Sequence, residues 1–209
     1  MKAGRATRRK HRDSTALVAG TGVVAALLLL ASAYLWLIGA GPGRPSQTAA
    51  IGGLFALVQG DGKPVTDRSF RGKYLLIYFG YTSCRDVCPI TLNTMAAALD
   101  VLGEKASQVQ PLFITVDPQR DTPPVVRKYA SSFTPLLIGL TGTSNEVRKV
   151  GDEYRVSTIT HHAGTDPASY VVDHSSVIYL VGPDGRYIAP IRADETSAAL
   201  AITIARYLS

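Results

Sequence analysis

The sequence predicts an α/β fold, a central mixed sheet flanked by helices, and three observations carry that prediction. Two nearly continuous apolar runs, "YLLIYFGYT" (74–82) and "PLFITVD" (111–117), have the length and the β-branched and aromatic content of strands buried on both faces. Each is followed by a segment of helical spacing, so this part of the chain reads β-α-β-α. The C-terminal part then adds an alternating hairpin and a closing amphipathic helix, which makes the sheet mixed rather than all-parallel.

The elements follow in order. "GGLFALVQGDGKPVT" reads as a short hairpin turning at Gly60, Asp61 and Gly62, with Leu54, Ala56 and Val58 alternating on one side, and it should cover one end of the sheet. After the strand at 74–82, "PITLNTMAAALDVLG" places Ile90, Leu92, Met95, Leu99 and Leu102 at helical spacing, with Pro89 at the start and Gly103 as the stop. The second buried strand leads through "PQRDTPP" into a helix over 123–133. "PLLIGLTG" is a short strand, and "TSNEVRKVGDEYRV" is a helix capped by Thr143 or Ser144. "STITHHAGTDPASY" has mixed polar composition and reads as an irregular excursion. "SSVIYLVGPDGRYIAPI" is a hairpin around Pro183, Asp184 and Gly185, and "DETSAALAITIARYL" is a helix with Asp194 at its N-cap.

Charge separates the chain into regions. Residues 1–15 form a basic tail containing Lys2, Arg5, Arg8, Arg9, Lys10 and Arg12 against Asp13. Residues 16–40 carry no charge for 25 positions, longer than the apolar region of a signal peptide, with Tyr34 and Trp36 near the far end. "ASA" at 31–33 resembles a cleavage site, but "YLWLIGA" continues the apolar run beyond it, so the segment reads as an uncleaved transmembrane anchor. The positive tail then stays cytoplasmic and the remainder is exported. Residues 41–50, "GPGRPSQTAA", read as a linker, and 51–209 is long enough for one domain with its own core. Six of the 22 basic residues and one of the 16 acidic ones precede residue 41, leaving 16 against 15. The basic excess is thus topogenic, and a nucleic-acid footprint is excluded.

Both cysteines, Cys84 and Cys88, lie in "GYTSCRDVCPITL", where the first buried strand feeds a helix; that location suggests a thioredoxin-like plan. Four residues apart on a first helical turn, they suit a disulfide or a shared ion equally, and spacing alone does not decide. A structural bridge would close a very short loop and add little stability. The helix N-terminus, with Arg85 beside Cys84, favours thiolates. Two thiolates are too few for a closed zinc site; joined by one imidazole they suit a soft, low-coordinate ion such as Cu(I).

Four histidines are available. His11 lies in the tail. His161 and His162 are adjacent, point differently and read as solvated loop residues. His174, in "VVDHSSVIYL", precedes the strand that in such a sheet begins beside the cysteine helix, and it is the expected third ligand.

With those residues in view, the chain resembles the SCO/SenC group of copper-binding, thioredoxin-like proteins that help assemble cytochrome c oxidase. The motifs are "YFGYTSCRDVCP", "ITVDPQRDTP", "GLTGT" and "YVVDHSSVIYLVGPDGR", spread over the whole exported domain. The resemblance implies Cys84, Cys88 and His174 as metal ligands. Asp86 matches the acidic residue between the cysteines and Asp117 that of "VDP", both as supporting or loop-fixing groups. Arg85 stands where the group has proline. The implied function is a metallochaperone that holds copper, as Cu(I) and also as Cu(II), and delivers it to the oxidase subunit bearing the CuA cysteines. A thiol-disulfide oxidoreductase acting on those cysteines through Cys84 and Cys88 is the alternative; "SCRDVCP" lacks the Thr-x-x-Cys of a peroxidase. Partners would include that subunit, a copper donor or a thiol reductase. The location implied is a bacterial inner membrane or its equivalent, crossed once, with the C-terminal domain periplasmic.

Overall fold

The computed structural model describes residues 24–34, 36, 51–162, 165, 166 and 169–208. The chain divides into two units, Met1–Ala49 and Ala50–Ser209. In the first, residues 24–34 are helical with exposed side chains. Among the described residues no helix is long and apolar enough to cross a membrane. The rest of the expected anchor, the basic tail and the 41–50 linker lie outside the described residues.

The second unit runs β1 (Ala56–Gln59), β2 (Pro64–Thr66), β3 (Tyr74–Gly80), α1 (Val87–Leu102), β4 (Val109–Thr115) and α2 (Pro123–Ser131). It continues with β5 (Ile138–Thr141), α3 (Ser144–Glu153), β6 (Thr158–His162), β7 (Tyr170–His174), β8 (Val177–Val181), β9 (Tyr187–Arg192) and α4 (Ser197–Ala205). Seven strands form one sheet in the order β2-β1-β5-β4-β3-β8-β9, while β6 and β7 form a separate antiparallel pair. Strands β3, β4 and β5 are parallel, and the others join antiparallel.

Alternation along β3 explains the layering. Leu76 and Tyr78 enter a core with Leu92, Met95, Val126 and Leu200, so α1, α2 and α4 cover that face. Leu75, Ile77 and Phe79 enter the opposite core with Leu57, Val147 and Tyr154, where α3 packs. Every residue from Leu75 to Gly80 is buried, as the unbroken apolar run requires. Each such leucine, isoleucine or phenylalanine contributes roughly 1.5–3 kcal/mol of burial free energy.

Several expectations shift. In and just before β1, Phe55 and Leu57 turn inward, while Leu54 and Ala56, expected on one side, both face solvent; with hydrophobics on both sides, alternation alone does not say which side is buried. Strand β4 starts two residues earlier than expected and ends at Thr115, which leaves Asp117 in the following turn. Helix α1 begins at Val87, so Cys88 lies in its first turn and Cys84 precedes it. Gly103, at φ 58, ends α1 in the left-handed region that glycine tolerates. The cap of α3 is Thr143, whose Oγ1 accepts from Glu146 N at 3.3 Å while Thr143 N donates to Glu146 Oε2 at 2.7 Å. The cap of α4 is Thr196 rather than Asp194, because Asp194 is drawn onto Arg192.

The segment expected to be irregular contains β6. Its five residues are all exposed, so it lacks the burial alternation that marks a strand, yet it pairs from Thr158↔His174 to His162↔Tyr170. The pairing brings the end of β7 back to the main sheet. There β8 lies antiparallel to β3, with Tyr78 opposite Ile178, so the residues just before β8 approach the turn that follows Gly80.

Candidate metal centre

Three separate elements converge at that turn. Cys84 sits in the loop after β3, its N–H donating to Tyr81 O at 3.2 Å; Cys88 is in the first turn of α1; His174 ends β7. Both cysteines are free, Cys88 fully buried and Cys84 half-buried. The two sulfurs and one imidazole nitrogen all lie within 4.8 Å of one another, with Cys88 Sγ 3.3 Å from His174 Nε2. With metal–sulfur bonds of about 2.3 Å, a trigonal ion spreads its donors about 4 Å apart, so these atoms need only small movements to surround one.

The imidazole is held ready for ligation. His174 Nδ1 is 3.2 Å from the carbonyl of Ser175, a contact that assigns the proton to Nδ1 and leaves the Nε2 lone pair facing the sulfurs. Burial pushes its pKa below the usual histidine value, against the weaker pull of the Ser175 carbonyl and Asp173. The rings of Tyr78 and Tyr81 stand edge-on to it, at centroid distances of 5.9 and 6.0 Å.

The expected thiolate character does not hold for Cys88. Burial pushes its thiol up to about 12, which favours the protonated form when no metal is bound. An arriving cation would displace that proton. The Tyr78 hydroxyl, 3.8 Å away, donates toward Cys88 Sγ.

The match extends beyond the site. The SCO1/SenC family profile fits residues 43–209. The chain belongs to the SCO1/SenC family. Among curated SCO relatives, protein sco1 of Schizosaccharomyces pombe is 40% identical over 168 residues, 79% of this chain and 62% of its own. The human mitochondrial SCO1 homolog is 38% identical over 160 residues, 76% of this chain and 53% of its own. The chain thus spans between half and two thirds of the length of these two relatives. The structure of Bradyrhizobium japonicum ScoI with copper bound is 44% identical, with a TM-score of 0.70, covering 76% of this chain and all of that one. The SCO1/SenC fold is thioredoxin-like, as the cysteine position suggested.

Within the SCO1/SenC frame, the acidic residues separate. Asp86 occupies the N-cap position of α1 but is exposed and makes no side-chain cap bond. Asp117 is buried; it accepts from the Tyr170 hydroxyl at 2.7 Å and from Arg120 Nε. Arg85 lies exposed in the turn between the cysteines. His161 and His162 are exposed as expected but on strand β6, His161 Nε2 meeting Asp173 Oδ2 at 2.9 Å. Neither belongs to the ligand cluster.

Two contributors escaped the sequence reading. Gly80 leaves the space that Cys88 fills, since a Cβ there would lie 2.8 Å from Cys88 Sγ. Its signal is the one small residue within a run of large ones. Asp121 is fully buried and accepts from Thr82 N at 2.9 Å, Thr82 Oγ1 at 2.6 Å and Thr115 Oγ1 at 2.6 Å, pinning the loop two residues before Cys84. Its place in "QRDTPP" imitates a helix start, which hides that role.

A cleft of about 670 Å³ lies between α3, the β6–β7 pair and the turn after β4. It borders Asp117 and Tyr170 and includes none of the three candidate ligands.

Proposed function

We propose that this SCO1/SenC chain is a membrane-anchored copper chaperone. Cys84, Cys88 and His174 hold copper, as Cu(I) and also as Cu(II), and pass it by ligand exchange to the cysteines of the CuA site during cytochrome c oxidase assembly. The observation that carries this reading is the convergence of two sulfurs and one neutral imidazole nitrogen within 4.8 Å, with His174 lying 86 residues beyond Cys88 in the chain. Soft donors and a coordination number of three suit Cu(I). The copper-bound relative supports the same cargo. Half-exposed Cys84 offers an entry and exit route for ligand exchange. Asp117 supports the site through the strand that carries His174.

The basic tail, uncharged segment and linker are read as cytoplasmic tail, single-pass anchor and tether, with residues 51–209 on the periplasmic side of a bacterial inner membrane or its equivalent. Protease treatment of intact spheroplasts should then remove a C-terminal epitope and spare an N-terminal one.

The reduced full chain in detergent, titrated with Cu(I) against a chelator, is expected to take up one ion per chain, with Cys84→Ser or Cys88→Ser abolishing uptake. Uptake below stoichiometry, or uptake indifferent to both serine variants, would overturn the reading.

A second reading rests on the asymmetry of the pair. Half-exposed Cys84 can meet a partner disulfide while buried Cys88 waits behind it, as in a thiol-disulfide reductase. Reductase activity towards the oxidase cysteines that survives loss of copper binding would favour it.

A further inference from the structure

The β6–β7 pair is not hydrogen-bonded into the seven-stranded sheet, so side chains must seat it against the body. This matters because β7 delivers His174: Tyr170 opens the strand and His174 closes it, about 13 Å away at the usual strand rise. The hydrogen bonds near His174, from Ser175 N to the Ser157 carbonyl and from Ser157 N to Ser175 Oγ, stay within the same excursion and do not fix its direction.

Arg120 meets Tyr170 in two ways at once. Its Nη1 donates to the Tyr170 carbonyl at 3.0 Å, and its guanidinium lies 3.7 Å from the centre of the Tyr170 ring. Its Nε donates to Asp117, which also accepts from the Tyr170 hydroxyl, so strand and turn are joined by a closed ring of contacts. The same guanidinium faces the Tyr81 ring at 5.6 Å, and Tyr81 stands edge-on to His174. A planar guanidinium can donate in its plane while stacking on its faces; an ammonium cannot do both.

We propose that Arg120 is a positioning residue for the third copper ligand: by clamping Tyr170 against Asp117 and Tyr81, it aims β7 so that His174 Nε2 meets the cysteine pair. The inference rests on the copper-binding reading above and extends it to a group that touches no metal. Loss of the clamp leaves both sulfurs in place and lets the imidazole drift, which weakens binding through His174 alone.

The test compares Arg120→Ala and Arg120→Lys with the unaltered full chain, each also combined with His174→Ala. Cu(I) affinity is read by chelator competition, imidazole ligation by nitrogen coupling in the Cu(II) electron paramagnetic resonance spectrum, and seating of the pair by amide hydrogen exchange without copper. Arg120→Ala is expected to weaken Cu(I) binding about 10- to 100-fold, the usual cost of losing an outer partner of a ligand. It should also diminish nitrogen coupling and speed exchange in β6 and β7 but not in β3 or β4. Lysine should not restore these properties. In the His174→Ala background, Arg120→Ala should change affinity less than two-fold, because the route of its effect has gone. An equal loss in both backgrounds, or unchanged exchange and unchanged affinity, overturns the proposal. If Arg120→Ala fails to fold, Tyr170→Phe removes only the hydroxyl on Asp117; it should then show a smaller loss in the same direction, and no loss counts against the clamp. Failure of the unaltered chain to bind copper overturns the chaperone reading instead, and the exchange measurement still judges the clamp.

Discussion

Gly80 and Cys88 occupy one shared space: a Cβ built on Gly80 would lie 2.8 Å from Cys88 Sγ, 3.1 Å from the Phe113 ring and 3.2 Å from the Tyr78 ring. The backbone of Gly80 is not in the left-handed region, so the demand is purely steric. All three neighbours are themselves fully buried, and a dense core has little room to yield. Gly80→Ala should therefore lower stability by about 1–3 kcal/mol. It should also displace the sulfur from His174 and weaken copper binding. Urea unfolding and chelator competition on the same variant check both; a variant as stable and as tight as the parent would show that the helix start absorbs the methyl group.

Asp121 offers a different kind of constraint, because three donors converge on one buried carboxylate. Asparagine keeps the shape but presents an NH₂ group where one oxygen accepted. Asp121→Asn is expected to cost about 2–3 kcal/mol, the range for unsatisfied buried polar groups and hydrogen bonds to charge. Since Thr82 lies two residues before Cys84, copper affinity should fall as well. Asp86→Asn, on an exposed side chain, should leave stability within about 0.5 kcal/mol. Chemical denaturation of the two variants side by side separates the buried carboxylate from the exposed one.

Alkaline pH should unfold the domain through its buried phenols. Tyr154 lies in a cluster with Phe79 and Tyr179, and burial pushes its pKa well above that of a free tyrosine, with the nearby Asp67 adding to the shift. A raised folded-state pKa means that the stabilisation is complete below the unfolded value, near 10, and is lost as pH climbs toward the folded one. Stability should be nearly flat from pH 7 to 9 and fall above 10. Tyr154→Phe should remove up to about 1.4 kcal/mol of that loss between pH 10 and 11. Urea midpoints at pH 8, 10 and 11 check the difference; parallel curves for both proteins would mean that other groups drive alkaline unfolding.

The parts of this structure that were legible in the sequence share a physical cause. Strand β3 is buried on both faces, so its composition had one reading, and "GPDG" allowed little but a turn. The convergence of Cys84, Cys88 and His174 was readable because few residue types bind soft metals, and because an antiparallel β8 beside β3 brings His174 to the cysteine helix. Strand β6 was not readable, since all its side chains face outward and its partner strand supplies the order. The protonated state of Cys88 was hidden for a related reason: position at a helix start is local, but burial is set by Tyr78, Gly80 and Phe113 from other strands. Likewise Arg120, Asp121 and Tyr170 act through partners that no local spacing announces.

Placement on β7 and β6 distinguishes the histidines, and their substitution should separate sharply. His174 is half-buried, with Nε2 3.3 Å from Cys88 Sγ, whereas His161 and His162 are exposed, engaging Asp173 and the Tyr170 ring respectively. His174→Ala removes one of three donors and leaves two sulfurs able to hold Cu(I) more weakly, so affinity should fall by at least about ten-fold, or 1.4 kcal/mol. The fold should persist, because the ring makes edge contacts with Tyr78 and Tyr81 but anchors no strand by itself. His161→Ala and His162→Ala should change copper affinity by less than about two-fold, within the small effects expected of exposed sites. Competition titrations of the three alanine variants, with circular dichroism to verify folding, check this ordering. Equal losses at all three would place a second copper-binding surface on β6, whereas no loss at His174 would leave the cysteine pair as the entire site.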